Sequence, residues 1–239
     1  MRVRAEQFVL GGGDPVIEYC EFRENQSVYG AAMIISGNST TNPLIRNNHF
    51  HNNNGHGTIN IDAGASPILV NNLIEYNYTD GHGNIHIAGA SGRVVMINNT
   101  IAYNTCDGQG GAVFVKDGLA NGLALLFINN IIYGNEPAQV NLIEPAAIDF
   151  INCLIEGGKN GFTGSTFSGT YQNCIDSNPL FASSNDFHLQ NTSPCIGIGT
   201  MIYEGHNAPT FDLEGNLRPN PAGSNPDIGS YENSLADPN

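Results

Sequence analysis

The side chains that could do chemistry in this sequence fall into three sets. The first is an acid–base set. Lys116 is one of only eight Lys and Arg residues, and Asp62 and Asp107 are the acids a repeating chain would bring nearest to it. A cation beside carboxylates can abstract or deliver protons, so these three are the candidate catalytic residues. The second set is metal-ligating. Asp212, Glu214 and Asp227 gather around Arg218, the one Lys or Arg in the last 80 residues. Clustered oxygens suit a hard cation such as Ca2+, although a structural salt bridge with Arg218 that locks the cap is the plainer and preferred reading. His56 and His82 occupy matching Gly-His-Gly turns and could pair on a metal, although the repeat alone explains them; His49 and His51, outside this set, flank Phe50 and are expected to point outward. The third set is a strip of amides and rings, Asn60, His86, Phe114 and Asn141, with Tyr76 and Tyr103 beside it. Amides offer hydrogen bonds to hydroxyls and rings offer stacking faces, which is what an extended polysaccharide needs. Five cysteines without a Cys-x-x-Cys pair argue against a zinc or redox centre.

A repeat must hold these residues in place. One phrase recurs: PVIEYCEFREN from Pro15, PLIRNNHFHNN from Pro43, PILVNNLIEYN from Pro67, VVMINNTIAYN from Val94 and LLFINNIIYGN from Leu125. Weaker copies follow at Ile148 and Thr170. The markers Cys20, Asn48, Asn72, Asn99, Asn130, Cys153 and Cys174 are separated by 28, 24, 27, 31, 23 and 21 residues. Helical repeats keep a fixed length, whereas a coil of short strands tolerates turns of varying length. A second segment in each repeat alternates apolar residues with period two, as in Ile59/Ile61, Ile85/Ile87 and Val113/Val115. Stacked copies of one coil put like strands side by side, so the sheets are parallel. Asn tolerates the left-handed backbone of a sharp corner, and stacked amides can bond coil to coil. Three rows qualify as such ladders: one begins at Asn47, one follows the markers, and one runs Asn25, Asn53, Asn77, Asn104, Asn135. The row Phe22, Phe50, Ile74, Ile101, Ile132, Ile155 reads as core.

Composition narrows the function classes. Asp and Glu number 22 against 8 Lys and Arg, a net charge of −14. Nucleic acid and anionic membrane surfaces need clustered basic residues, so neither is a partner. A polyanionic substrate would also be repelled. No apolar run is long enough to span a bilayer, so membrane insertion is not expected. The 33 Asn, 29 Gly and absent Trp rule out a helical bundle.

The repeat resembles the right-handed parallel β-helix superfamily that includes pectate lyases. After Cys174 the chain carries NPLFASSNDFHLQNTSPCIGIG and FDLEGNLRPNPAGSNPDIGSYE. These stretches resemble the "DIGAYE"-type C-terminal motif of secreted bacterial β-helix proteins of the choice-of-anchor Q type. The resemblance implies an all-β, right-handed parallel β-helix of about seven or eight coils, with residues 1–176 forming coils and 177–239 a final coil and capping segment folded over the last coil. It further implies an exported, extracellular or cell-surface protein of bacterial type, and a monomer is expected. The first coil begins so near Met1 that the sequence reads as a trimmed domain. The leading expectation is non-catalytic glycan recognition or adhesion. The alternatives are a polysaccharide lyase or glycoside hydrolase, with Ca2+ as the one conceivable cofactor, and a rigid spacer.

Overall fold

The corner residues explain the architecture. Asn47, Asn71, Asn98, Asn129, Asn152 and Asn173 all sit at φ between 51° and 55°, in the left-handed region that Asn tolerates better than other non-glycine residues. Each reverses the chain between two short strands. A second corner does the same through Glu24, Asn52, Tyr76, Tyr103 and Gly134. At Gly134 a side chain would strike the Tyr103 ring, so glycine is required there.

The computed structural model describes residues 2–3, 8–38, 40–89, 93–116 and 125–239. Three parallel sheets run the length of the solenoid. Sheet 1 stacks strands from Arg2–Val3 through Glu21–Arg23, His49–His51, Leu73–Glu75, Thr100–Ala102 and Ile131–Tyr133 to Leu154–Ile155. Sheet 2 runs from Phe8–Leu10 through Met33–Ser36, Ile59–Asp62, Ile85–Ile87, Val113–Val115 and Val140–Leu142 to Thr163–Gly164. Sheet 3 runs from Val16–Glu18 through Leu44–Arg46, Ile68–Val70, Val95–Ile97 and Leu125–Ile128 to Ala146–Ile151. The only helix among the described residues is the 3-10 turn Gly158–Gly161. The chain is thus an all-β parallel solenoid. It makes about six turns rather than seven or eight, because seven markers bound six intervals. The coil opened at Cys174 stays incomplete, joined to its predecessor by an isolated bridge between Leu154 and Ile175.

The core is a column of stacked apolar side chains. Phe22 and Phe50 lie face to face at 4.7 Å and 6°, continuing into Ile74, Ile101, Ile132 and Ile155, all buried. At the far end Phe162, Phe167 and Tyr171 pack on Phe150 and close the column.

Two asparagine ladders run beside it. In the marker row, Asn72 Oδ1 accepts from both the backbone N–H and the amide of Asn48, at 3.1 and 3.0 Å. Asn99 does the same for Asn72, and Asn130 for Asn99. Cysteine continues the pattern: Cys153 Sγ accepts the N–H of Asn130 and Cys174 Sγ that of Cys153, each at 3.4 Å. All five cysteines are free thiols. The second ladder runs Asn25, Asn53, Asn77, Asn104, Asn135 and ends on Gln139.

The row from Asn47 is not a third ladder. Its amides point outward and hold the C-terminal segment. Asn47 donates to the Asp212 carbonyl, Asn71 to Phe211, Asn98 to Asp227 and Gly229, Asn129 to Thr200 and Asn152 to Ile198. Within the row, one coil-to-coil bond forms, from Asn129 to Asn98. The C-terminal segment is therefore a strap along the side of the solenoid, not a plug over its last coil. Arg218 locks it. Its guanidinium donates to Glu232 at 2.7 Å, Asn71 at 2.8 Å and the Gly229 carbonyl at 3.0 Å, with no exposed side-chain surface on Arg218 or Glu232.

Candidate functional site

The strip on sheet 2 has the register its spacing implies: Asn60 pairs with His86, His86 with Phe114 and Phe114 with Asn141. It is not an open platform. Phe114 is fully buried, and Asn60 and Asn141 are 5% exposed. The turns before each strand fold back across the sheet. His82 stacks on Phe114 at 4.2 Å and 17°, and His56 packs edge-on to His82 at 4.4 Å. The His86 ring meets His82 and Phe114 at 4.9 and 5.2 Å. Burial, with His82, His56 and Lys116 nearby, pushes His86 down to about 4. The Oδ1 atoms of Asn60 and Asn141 and Nε2 of His86 have no hydrogen-bond partner. Covered rings cannot stack on sugar, so the expectation for Phe114 fails: it is packing under a histidine roof.

Tyr76 and Tyr103 do stack, at 5.4 Å and 18°. The antiparallel hairpin Phe181–Ser183/Asp186–Leu189 covers them, with Phe187 against both rings and Phe181 against Tyr103. They anchor the strap, with Tyr103 half-buried and Tyr76 keeping 36% of its surface exposed.

The acid–base set is not assembled. Lys116 is exposed just after Val113–Val115. Asp62 ends a strand two positions away in the sheet. Asp107 follows the short strand Thr105–Cys106, and its Oδ2 accepts the Tyr78 hydroxyl at 2.6 Å. No ion pair joins Lys116 to either acid among the described residues.

The Ca2+ set is committed elsewhere. Asp212 is buried, and its two oxygens accept from the N–H groups of Glu214, Asn216 and Glu232 and from the Asn216 amide. Asp227 accepts from Gly197 and Asn233. Burial and the neighbouring Glu232 push its carboxyl up to about 7. Glu214 contacts His188 at 3.2 Å. Asp212 and Asp227, saturated by N–H donors, organise turns and hold no face open to a cation, which leaves exposed Glu214 without its two proposed co-ligands.

Two other places carry exposed functionality. One is an open groove of about 500 Å3 where the strap crosses sheet 3, lined by Tyr19, Arg46, Asn47, Asn207, Thr210 and Phe211 among others. Tyr19 is 66% exposed and Phe211 50%. Tyr19 holds φ 52° in the corner slot that Asn fills in every later coil. A bulky residue in that conformation is unusual, and such strain is often retained where function needs the side chain. Arg46 binds Glu18 at 2.7 Å, so the groove floor is nearly neutral. The other place is on sheet 1, where His49 contacts Glu75 at 2.8 Å and His51 contacts Glu21 at 3.1 Å.

Sequence reasoning passed over both. Tyr19 is visible as the one non-Asn residue in the corner row of Asn47, but Phe211, across the groove, is 192 positions away. A His-x-His pair on a strand places both rings on one face. That signal was present, but the diagonal reach to Glu75 needs the register of the next coil.

A solenoid of parallel strands with inward ladders defines the class of protein. The family model described as the right handed beta helix region matches residues 7–155, and the chain belongs to that family. No curated protein and no solved structure matches it. The family supports a carbohydrate-associated or structural role in general terms. No helix among the described residues is long and apolar enough to cross a membrane.

Proposed function

We propose that this protein is an exported, cell-surface or extracellular β-helix protein that recognises an extended, neutral glycan in the groove between Tyr19 and Phe211. One observation carries the reading: two exposed rings flank an open groove that also presents Arg46, Asn47 and Asn207. Concave sites with a few convergent polar groups are the usual form of ligand sites. Sugar rings offer apolar faces to aromatics and hydroxyls to amides and guanidinium. The net charge of −14 disfavours polyanionic chains, which leaves a neutral glycan as the better fit.

The test is retention on a panel of insoluble neutral and acidic polysaccharides, with new reducing or unsaturated chain ends followed in parallel. Retention on a neutral polymer, lost in the Tyr19→Ala/Phe211→Ala double variant, is the expected result. Retention unchanged in that variant would move the site elsewhere. Release of chain ends would make the protein an enzyme. Absence of both would leave a spacer.

A further inference from the structure

We propose that His49, His51 and Glu75 form a binding site for a divalent transition-metal ion of the zinc class. The inference goes beyond glycan recognition and does not depend on it. His49 and His51 alternate along His49–His51, so both rings leave the same face of sheet 1, with Phe50 driven into the core between them. Glu75 ends the neighbouring strand Leu73–Glu75, in register with His51 and diagonal to His49. One ligand atom from each of the three lies within 4.8 Å of the other two. The imidazoles stack at 4.2 Å and 28°. Parallel strands fixed by ladders on either side hold all three backbones, so the donors are positioned before any ion arrives.

The donor set selects the ion. Two imidazoles and one carboxylate suit Zn2+ and its first-row neighbours, whereas Ca2+ and Mg2+ prefer oxygen alone. Metal–donor bonds of about 2.0–2.2 Å need only a modest widening of the His49–Glu75 contact, which is 2.8 Å. Charge also fits. Glu75 is 7% exposed, and its side chain contacts His49. A nearly buried carboxylate must be paired or coordinate a metal. Glu21 reaches His51 at 3.1 Å, as the outer carboxylates of metal-bound histidines do. Arg23, 3.6 Å from Glu21, offsets part of that charge. Access is open: a cleft of about 400 Å3 lined by Asn52, Glu75, Tyr76, Asn185 and Phe187 leads to the Glu75 carboxylate. Glu75 is the donor that lines this cleft, and a site with three protein donors keeps a coordination position for water or a ligand oxygen.

The competing explanation is a pair of histidine–carboxylate contacts that need no ion. Chelator-stripped, tag-free protein titrated with Zn2+ by calorimetry, and with Co2+ by visible absorption, separates the two. One equivalent of Zn2+ is expected, with Co2+ bands typical of mixed nitrogen and oxygen donors. His51→Gln and Glu75→Gln should abolish stoichiometric binding, and circular dichroism on each variant shows that the solenoid is intact. Glu21→Gln should weaken affinity by about 10- to 100-fold. His188→Ala removes the other histidine flanked by carboxylates, Asp186 and Glu214, and should change nothing. Failure of the wild-type protein to take up an equivalent would overturn the proposal, as would binding that survives both Gln variants or disappears with His188→Ala.

Discussion

Adjacent asparagines in this chain do opposite jobs. The second of each pair, Asn48, Asn72, Asn99 and Asn130, turns inward and is fully buried in a ladder that ties coil to coil. The first, Asn47, Asn71, Asn98 and Asn129, takes the left-handed corner and turns outward to grip the strap. Side-chain chemistry is identical, so backbone handedness decides. The inward row stabilises the scaffold. The outward row attaches the segment that supplies Phe211 to the groove. A strict periodic device therefore builds the rod, and a non-repeating segment pinned to its side builds the site.

The strap's lock should give the largest effect on that comparison. Arg218→Met leaves Glu232 and Asp227 buried together without a cation, a loss of about 3–5 kcal/mol. Thermal melting should show it, and limited proteolysis should cut within 197–232 before the coils. A melt that falls with no early cleavage would mean strap and solenoid unfold as one unit.

Acid should act next, through the histidine roof on sheet 2. His86 ionises near 6.5 in the unfolded chain and is pushed down to about 4 in the folded one by burial, His82, His56 and Lys116. Its folded value is depressed, so its stabilising contribution is complete above 6.5 and disappears as pH falls towards about 4. The total is on the order of 3 kcal/mol. Asp227 in the strap opposes it, because its folded value of about 7 lies above the unfolded one and favours the native state in acid. His86→Asn, which matches Asn60 and Asn141 in the same row, should remove the acid loss and leave the Asp227 gain, so its melting temperature rises relative to the wild type as pH falls from 6.5 to 4. An unchanged pH profile would place acid sensitivity elsewhere.

A break in the inward ladder should be smaller. Asn99→Ala strips the acceptor from the buried Asn72 N–H, a cost of about 1–3 kcal/mol, while the Asn72 amide keeps its bond to the Ile45 carbonyl. Denaturant unfolding measures this. Groove variants should be smallest in stability: Tyr19→Ala and Phe211→Ala remove exposed rings and should stay within about 0.5 kcal/mol while weakening polysaccharide retention.

The coil, its parallel sheets and two of its ladders were legible in the sequence because they are periodic. Asn99 announces Asn130 by position alone. The strap was legible only as a motif. Its path along the corner depends on Asn71 meeting Phe211 and Arg218, contacts that span 140 and 147 residues. The strip at Phe114 was read in the right register but as exposed, because alternation along a strand says which face a ring leaves and not what folds back over it. Glu75 went unnoticed beside His49 because a diagonal partner across coils carries no local signature.

The most direct test of the account pairs Asn71→Gly with Asn72→Ala. Glycine keeps the left-handed corner while deleting the grip on Phe211 and Arg218. Melting and retention on the neutral polysaccharide that binds the wild type best are measured on both variants. The account predicts that Asn71→Gly keeps a folded solenoid and loses retention, while Asn72→Ala loses stability and still binds below its melting point. Full retention by Asn71→Gly would contradict it, because the outward row would then not build the site.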